Sequence, residues 1–176
     1  EWLCQIQRPV TLWLRAPKAS GKRVELAMKK ELQPAGEGCW RNSFRYFGKE
    51  DLFQMPHFQH GHFEIQDLAS QFVGNFCQPE PGENWWDMCA GEGGKTVHLA
   101  DLLQQKGCVW ATDRAAWRLQ RLKRRAARAK IFNYQSALWD GKSKPPFRKP
   151  FDGILLDAPC SGLGTWQRNP NARWTT

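Results

Sequence analysis

Apolar and polar residues follow two different rhythms along this chain. Through residue 60 the apolar positions come in short bursts. Val10-Thr11-Leu12-Trp13-Leu14-Arg15 mixes β-branched and aromatic residues as a short strand does. Residues 18–30 form a polar, basic helix candidate, Pro34-Ala35-Gly36-Glu37-Gly38 reads as a turn, and residues 40–47 form a further strand candidate. From His62 the period changes. Ile65, Leu68, Ala69, Phe72, Val73 and Phe76 recur at helical spacing, which predicts one amphipathic helix ended by Pro79-Glu80-Pro81-Gly82.

Strands and helices then alternate. Residues 85–90 form a short apolar strand, Gly91-Glu92-Gly93-Gly94 a glycine-rich turn, and residues 96–105 a helix stopped by Gly107. A second strand over 108–112 closes on Asp113, a basic helix follows, a weaker strand covers 131–136, and residues 151–156 form a fourth ending at Asp157. This alternation implies a parallel sheet with crossover helices, an open α/β fold. The change of rhythm divides the chain into a small α+β unit over 1–60 and an α/β unit over 61–176. The chain starts at Glu1 and stops shortly after a motif-rich stretch, so we expect a fragment whose sheet is incomplete at its C-terminal side.

Composition narrows the classes. Of 176 residues 41% are hydrophobic, enough for a core, and no apolar run approaches the roughly 18 residues that cross a bilayer. Membrane partners are therefore not expected. The six cysteines contain no CxxC pair, and with no signal peptide visible they read as reduced cytosolic thiols. His57, His60 and His62 lack a supporting cysteine or paired carboxylate, so they read as loop histidines and no metal site is expected.

The net charge of +9 is concentrated. Residues 111–130 hold eight basic side chains against the one acid Asp113. Ala115, Leu119, Leu122, Ala126 and Ala129 mark the buried face of that helix, and Arg114, Arg118, Arg121, Arg125 and Arg128 run beside it. Such a stripe suits either a solvated helix back or a polyphosphate partner. Of the ten tryptophans, Trp85, Trp86, Trp110 and Trp117 read as core, while Trp166 and Trp174 are candidates for base stacking.

A strand, a glycine turn, a helix and an acid closing the next strand form a nucleoside-binding unit, because bare backbone approaches the ligand and the acid accepts from ribose hydroxyls. A dinucleotide fingerprint fails at Thr96, where its last Gly should stand, and a P-loop fails at Cys89. Asp157-Ala158-Pro159-Cys160-Ser161-Gly162 is more discriminating. It sits at the carboxyl end of a strand, where open α/β sheets bind ligands, and a Pro-Cys in such a turn suggests thiol chemistry.

These segments together resemble the Sun/Fmu-type RNA cytosine-5 methyltransferases. Asp87-Met88-Cys89-Ala90-Gly91-Glu92-Gly93-Gly94-Lys95-Thr96 resembles their methyl-donor motif D-x-C-A-A-P-G-G-K-T, departing at Gly91-Glu92. Asp157-Ala158-Pro159-Cys160-Ser161-Gly162-Leu163-Gly164 is similar to their D-x-P-C-S-G-x-G motif, and Arg168-Asn169-Pro170 to the R-x-P that follows. Phe63-Glu64-Ile65-Gln66-Asp67-Leu68-Ala69-Ser70-Gln71 resembles their lead-in helix, and residues 9–15 the strand of their small N-terminal RNA-binding subdomain.

The resemblance implies a Rossmann-like, S-adenosylmethionine-dependent enzyme acting on cytosine C5 of ribosomal or transfer RNA in the cytoplasm. Cys89, Ala90, Gly91, Glu92, Gly93, Gly94 and Lys95 would wrap the cofactor. Asp113 would hold its ribose, Ser136 (with Asp140 as the nearest acid) would face adenine, and Asp157 would lie between sulfonium and base. Arg118, Arg121, Arg125 and Arg168 would meet RNA. Cys160 would assist product release, the attacking thiol belonging to a T-C motif downstream of this chain. A DNA cytosine methyltransferase-like enzyme, in which the Pro-Cys thiol itself attacks, and a noncatalytic RNA-binding relative are the alternatives.

Overall fold

A computed structural model describes residues 11–160. Its first half is an antiparallel sheet of β1 (Leu12–Arg15), β2 (Leu32–Pro34), β3 (Ser43–Tyr46) and β4 (Glu64–Ile65), in the order β2-β3-β1-β4. Helix α1 (Gly21–Ala27) and a four-residue turn of helix α2 (Pro56–Gln59) connect its strands. Leu14, Val24, Phe44 and Phe63, each at most 1% exposed, form its core. Pro34 joins a strand rather than only a turn. It can do so because β2 is an edge with a single neighbour, so its missing N–H costs no ladder bond. The sheet ends at Ile65, five residues past the division expected at 60.

The second half is built from α3 (Leu68–Phe76), β5 (Asn84–Asp87), α4 (Gly94–Leu102), β6 (Cys108–Asp113), α5 (Ala116–Arg128), β7 (Tyr134–Leu138) and β8 (Gly153–Leu155). Its four strands are parallel in the order β7-β6-β5-β8. The chain steps outward from β5 through β6 to β7 and then returns to the other side of β5. That reversal places a topological switch point between β5 and β8, where a crevice opens beyond the strand ends. Val97, Leu99, Leu103, Val109 and Ala126 fill the core under α4 and α5. On the opposite face Trp86, Trp110, Trp139, Phe147 and Phe151 form an aromatic cluster. No helix among the described residues is long and apolar enough to cross a membrane.

Two expectations change. The amphipathic pattern of 65–76 does not mark the buried face of α3. Ile65 lies in β4, Phe72 and Phe76 are exposed, and the residues that bury are Gln71 and Gly74. The helix is wedged between β3 and α4, and each neighbour imposes its own demand. Ser43 Oγ donates to Gln71 Oε1 at 2.6 Å, and Gln71 Nε2 donates to the Gln66 carbonyl at 2.8 Å. Gly74 meets the His98 ring so closely that any Cβ would collide with it. Trp117 is also not core. It is 52% exposed, with the Arg121 guanidinium 4.9 Å from its ring centroid.

Buried charges join the halves. Arg128 Nη2 donates to both Glu64 oxygens at 2.7 and 2.9 Å, Arg125 Nε lies 3.5 Å from Glu64 Oε2, and the Arg128 guanidinium stacks 3.7 Å from the Phe58 ring centroid. Arg15 on β1 reaches Asp101 on α4 at 3.1 Å and donates through Nε to Gln66 Oε1 at 2.8 Å. Both Glu64 and Arg15 are under 5% exposed, so each needs its partner. Removing the main partner of Glu64 should be costly. We predict that Arg128→Ala destabilises the fold by about 3 kcal/mol in urea unfolding, the scale of an orphaned buried charge. A loss below about 1 kcal/mol, as for an exposed pair, would show that the bridge is dispensable.

Candidate functional site

The site grows from the turn after β5. Gly91 and Gly93 adopt φ of 55° and 84°, in the left-handed region that glycine enters without penalty. Gly93 also packs against Leu122 of α5, where an added Cβ would come within 2.6 Å of Cγ. Thr112, fully buried on β6, clamps the turn from below. Its hydroxyl donates to the Met88 carbonyl at 2.9 Å, while its own carbonyl accepts from the Ala90 amide at 2.8 Å. Asp113 closes the turn from the side. One oxygen accepts from the Gly91 amide at 3.0 Å, and the other accepts from the Ala115 amide at 2.8 Å near the start of α5.

Beside this turn, at the switch point, lies a cavity of ≈ 280 Å³. Cys89, Ala90, Gly91, Glu92, Gly94 and Lys95 line one wall, Asp87 and Asp157 stand at the strand ends, and Ile65, Gln66, Asp67 and Ser70 supply the facing wall. Gln66 ties the walls together, since Nε2 donates to the Gly94 carbonyl at 3.3 Å. Lys95 Nζ bridges to Asp157 Oδ2 at 2.6 Å, linking the turn to the segment after β8. Glu92, the departure from the family pattern, pairs with Arg121 at 2.6 Å on the surface.

Carboxylates outnumber cations in the lining, with Asp67, Asp87, Glu92 and Asp157 against Lys95 and Arg125. Asp87 is buried, and burial raises its pKa from 3.8 to about 6, with the nearby Asp157 acting in the same direction. Thr96 Oγ1 donates to Asp87 Oδ2 at 2.7 Å, and Lys95 also favours the charged form. Oδ1 is sealed from solvent without a hydrogen-bond partner among the described residues; the Cys89 amide lies near enough to favour the charge but does not complete a bond. Burial, then the Asp87 and Asp113 carboxylates, push the Cys89 thiol up, so this sulfur stays protonated at neutral pH.

The expected site residues are brought together unevenly. The 89–95 turn and Asp157 share one cavity, although Gly93 faces α5 instead. Asp113 does not line the cavity and acts on it through Gly91. Ser136 is exposed on the outer strand β7, opposite Ala111, and Asp140 is engaged in its own turn through the Ser143 amide and hydroxyl. Cys160 is exposed beyond β8. Among the stripe residues Arg118 lies 3.7 Å from Asp113, Arg121 holds Glu92 and Arg125 leans on Glu64. Arg168, Trp166, Trp174 and Cys4 lie outside the described residues. No group of metal-ligating side chains occurs among the described residues. Gln66 and Thr96 stand inside the quoted motifs without an assigned role, and Thr112 stands outside them. A lone Thr within the apolar run of β6 was the one visible sign of Thr112.

Residues 75–176 match the sequence model of the family described as 16S rRNA methyltransferase RsmB/F. The probable ribosomal RNA small subunit methyltransferase B of Synechocystis is 42% identical over 127 residues, covering 70% of this chain and 28% of that protein. The tRNA (cytosine(72)-C(5))-methyltransferase NSUN6 of Mus musculus is 39% identical over 142 residues, covering 72% of this chain and 30% of that protein. A crystal structure of a methyltransferase homolog protein from Pyrococcus horikoshii superposes with a TM-score of 0.72 at 28% identity, covering 90% of this chain and 53% of that one. The chain thus spans about three tenths of the length of these two curated relatives.

The raised pKa of Asp87 makes a signed prediction. The folded state holds this proton more tightly than the unfolded chain, so Asp87 costs stability as pH rises from about 4 to about 6. The stability difference between Asp87→Asn and the unmodified protein should grow in favour of the variant across that interval, by on the order of 3 kcal/mol. Urea unfolding at several pH values measures it. A difference that does not change with pH would mean that Asp87 does not titrate there.

Proposed function

The chain belongs to the 16S rRNA methyltransferase RsmB/F family, and from that premise we propose that its full-length protein transfers a methyl group from S-adenosylmethionine to cytosine C5 of ribosomal or transfer RNA, in the cytoplasm. The observation that carries this reading is the shared cavity at the switch point, where the bare 89–95 turn meets two carboxylates.

The cavity suits the cofactor in charge and in its bare backbone. S-adenosylmethionine, when bound, supplies an electrophilic methyl group on a cationic sulfur. Asp87 and Asp157 give that cation a negative setting, and the neighbouring cation would favour the ionised form of Asp87. Gly91 has open space where a Cβ would stand, so the backbone can approach a nucleoside closely. Asp113 keeps the turn in this shape through the Gly91 amide and is the candidate to hold the ribose hydroxyls. Ser136, in the middle of β7, is the candidate for the adenine contact, with Asp140 the nearest acid beyond the strand.

On the substrate side Asp157 is held by Lys95 and can accept from the cytosine ring edge, stabilising charge as it develops. Carbon 5 becomes nucleophilic once a thiolate adds to carbon 6. The resemblance assigns that attack to a cysteine of a T-C motif and assigns release to Cys160. Arg121 is exposed and Arg118 half-buried, both more open than Arg125, and with Arg168 they are the candidates to meet an RNA phosphate.

The function is tested with full-length protein, labelled S-adenosylmethionine and RNA transcripts, reading 5-methylcytosine in the product. Absence of 5-methylcytosine from every rRNA and tRNA transcript would overturn it. Asp113→Ala should weaken S-adenosylmethionine binding by about 1–3 kcal/mol in calorimetry, because the Gly91 amide loses its charged acceptor. Unchanged affinity would remove Asp113 from the site. Cys160→Ala should form the covalent protein–RNA bond and fail to release it, giving a slow band on a denaturing gel. If that variant gives no band while the unmodified enzyme is trapped by 5-fluorocytosine RNA, Cys160 is the attacking thiol.

A further inference from the structure

Helix α3 connects two cavities. Ser70, near its start, lines the switch-point cavity, and Asn75, near its end, lines a second and larger one of ≈ 820 Å³. This second cavity lies between β1, α1 and the far end of α4, away from the strand ends that carry the proposed chemistry. Its charge is one-sided. Lys18, Lys22 and Arg41 line it with no ion pair among the described residues, against the single acid Asp101, which is already held by Arg15. Arg15 itself lines the cavity, is 3% exposed and has Nη2 without an acceptor among the described residues. His98 adds no charge, because burial lowers its pKa well below the ordinary value.

A ladder of aromatic rings stands at the rim. Trp40 lies between the lining residues Cys39 and Arg41, and Asn75 Nδ2 donates to the Cys39 carbonyl at 3.2 Å, fixing this turn to α3. Trp40 stacks on Phe72 with centroids 5.9 Å apart and planes at 18°, and Phe72 stacks on Phe76 at 5.8 Å and 22°. Phe72 is 52% exposed and Phe76 76%. Three near-parallel rings, two of them more than half exposed, next to a cavity with three cations unpaired among the described residues, match the two contacts that an unpaired nucleic-acid strand makes. Bases stack on rings and phosphates meet cations. A protein partner would be served by the rings but not by the unpaired positive charge.

We propose that the Trp40–Phe72–Phe76 ladder and the cationic cavity beside it bind an unpaired stretch of RNA, forming an anchor separate from the cytosine-modifying site. The anchor rests on the RNA reading above and adds where a second part of the substrate is held. An RNA of adequate length would then lie along α3, with its bases on the exposed rings and its backbone over Lys18, Lys22 and Arg41. Duplex RNA lacks free base faces and gains only the cationic half of the contact.

The test uses full-length protein and a fluorescein-labelled oligocytidylate about 12 nucleotides long, within the usual footprint of a single-strand site. Two variants are compared with the unmodified enzyme: Phe72→Ala with Phe76→Ala, and Lys18→Gln with Lys22→Gln and Arg41→Gln. Circular dichroism and S-adenosylmethionine binding serve as folding controls, since none of these residues lines the switch-point cavity. The ring variant should bind the oligonucleotide at least tenfold more weakly, the loss expected for base–ring stacks, and should bind a duplex of the same length as the unmodified enzyme does. The charge variant should flatten the salt dependence by about 2 in the log–log slope, for three lost phosphate contacts.

Oligonucleotide binding unchanged in both variants would overturn the anchor, and loss of self-association in the ring variant would then identify the ladder as a protein contact. Equal losses on single strand and duplex in the ring variant would overturn the stacking assignment. Failure of the unmodified enzyme to bind the oligonucleotide would overturn the anchor while methyl transfer to a folded transcript still stands. Failure of both binding and transfer would overturn the RNA reading itself.

Discussion

Two charges that cannot be buried alone make the halves of this protein one body. Glu64 lies on the last strand of the antiparallel sheet and Arg15 on the neighbouring inner strand, and both are under 5% exposed. Arg128 and Arg125 come to Glu64 from α5, and Asp101 comes to Arg15 from α4. A desolvated carboxylate or guanidinium without its partner is unfavourable by several kcal/mol. The two sheets therefore have a reason to dock in one register, which a purely apolar seam would specify less tightly.

That register builds the site. Gln66 follows directly after the Glu64–Ile65 strand, so the bridge that fixes Glu64 also aims Gln66 at both Arg15 and the Gly94 carbonyl. The wall opposite the glycine turn is thus contributed by the junction of the two halves, not by the parallel sheet alone. The basic helix acquires a different meaning in this light. Arg125 and Arg128 serve the seam, Arg121 neutralises the unusual Glu92, and Arg118 leans toward Asp113. A carboxylate beside an anionic cavity would be unwelcome, and its pairing with Arg121 explains how Gly91-Glu92 is accommodated in place of the common Ala-Pro.

The parallel sheet was legible because strand, glycine turn and helix each leave a local signature. β5, β6 and their helices lie within a few residues of where apolar runs and Gly107 put them, and the 89–95 turn, Gly93 apart, lines one cavity with Asp157. The miss at α3 has a physical cause. Periodicity assumes that apolar side chains face the core, but α3 packs against a hydroxyl on one side and a close imidazole on the other. The core face therefore needed Gln71 and Gly74, and the aromatic rings were left in solvent. Nor could local pattern show that Arg128 answers Glu64 across 64 positions of sequence. Long-range pairing of charges has no period.

In the proposed function both halves of the protein close on the methyl donor, through the Gln66 wall and the glycine turn. Hydrogen–deuterium exchange on the full-length enzyme, with and without S-adenosylmethionine, tests it most directly. The account predicts slowed exchange in two separate peptides, one over residues 64–71 and one over 88–97. Slowing confined to 88–97 would contradict it, because the donor would then rest on the parallel sheet alone and the buried bridges would have no part in holding it.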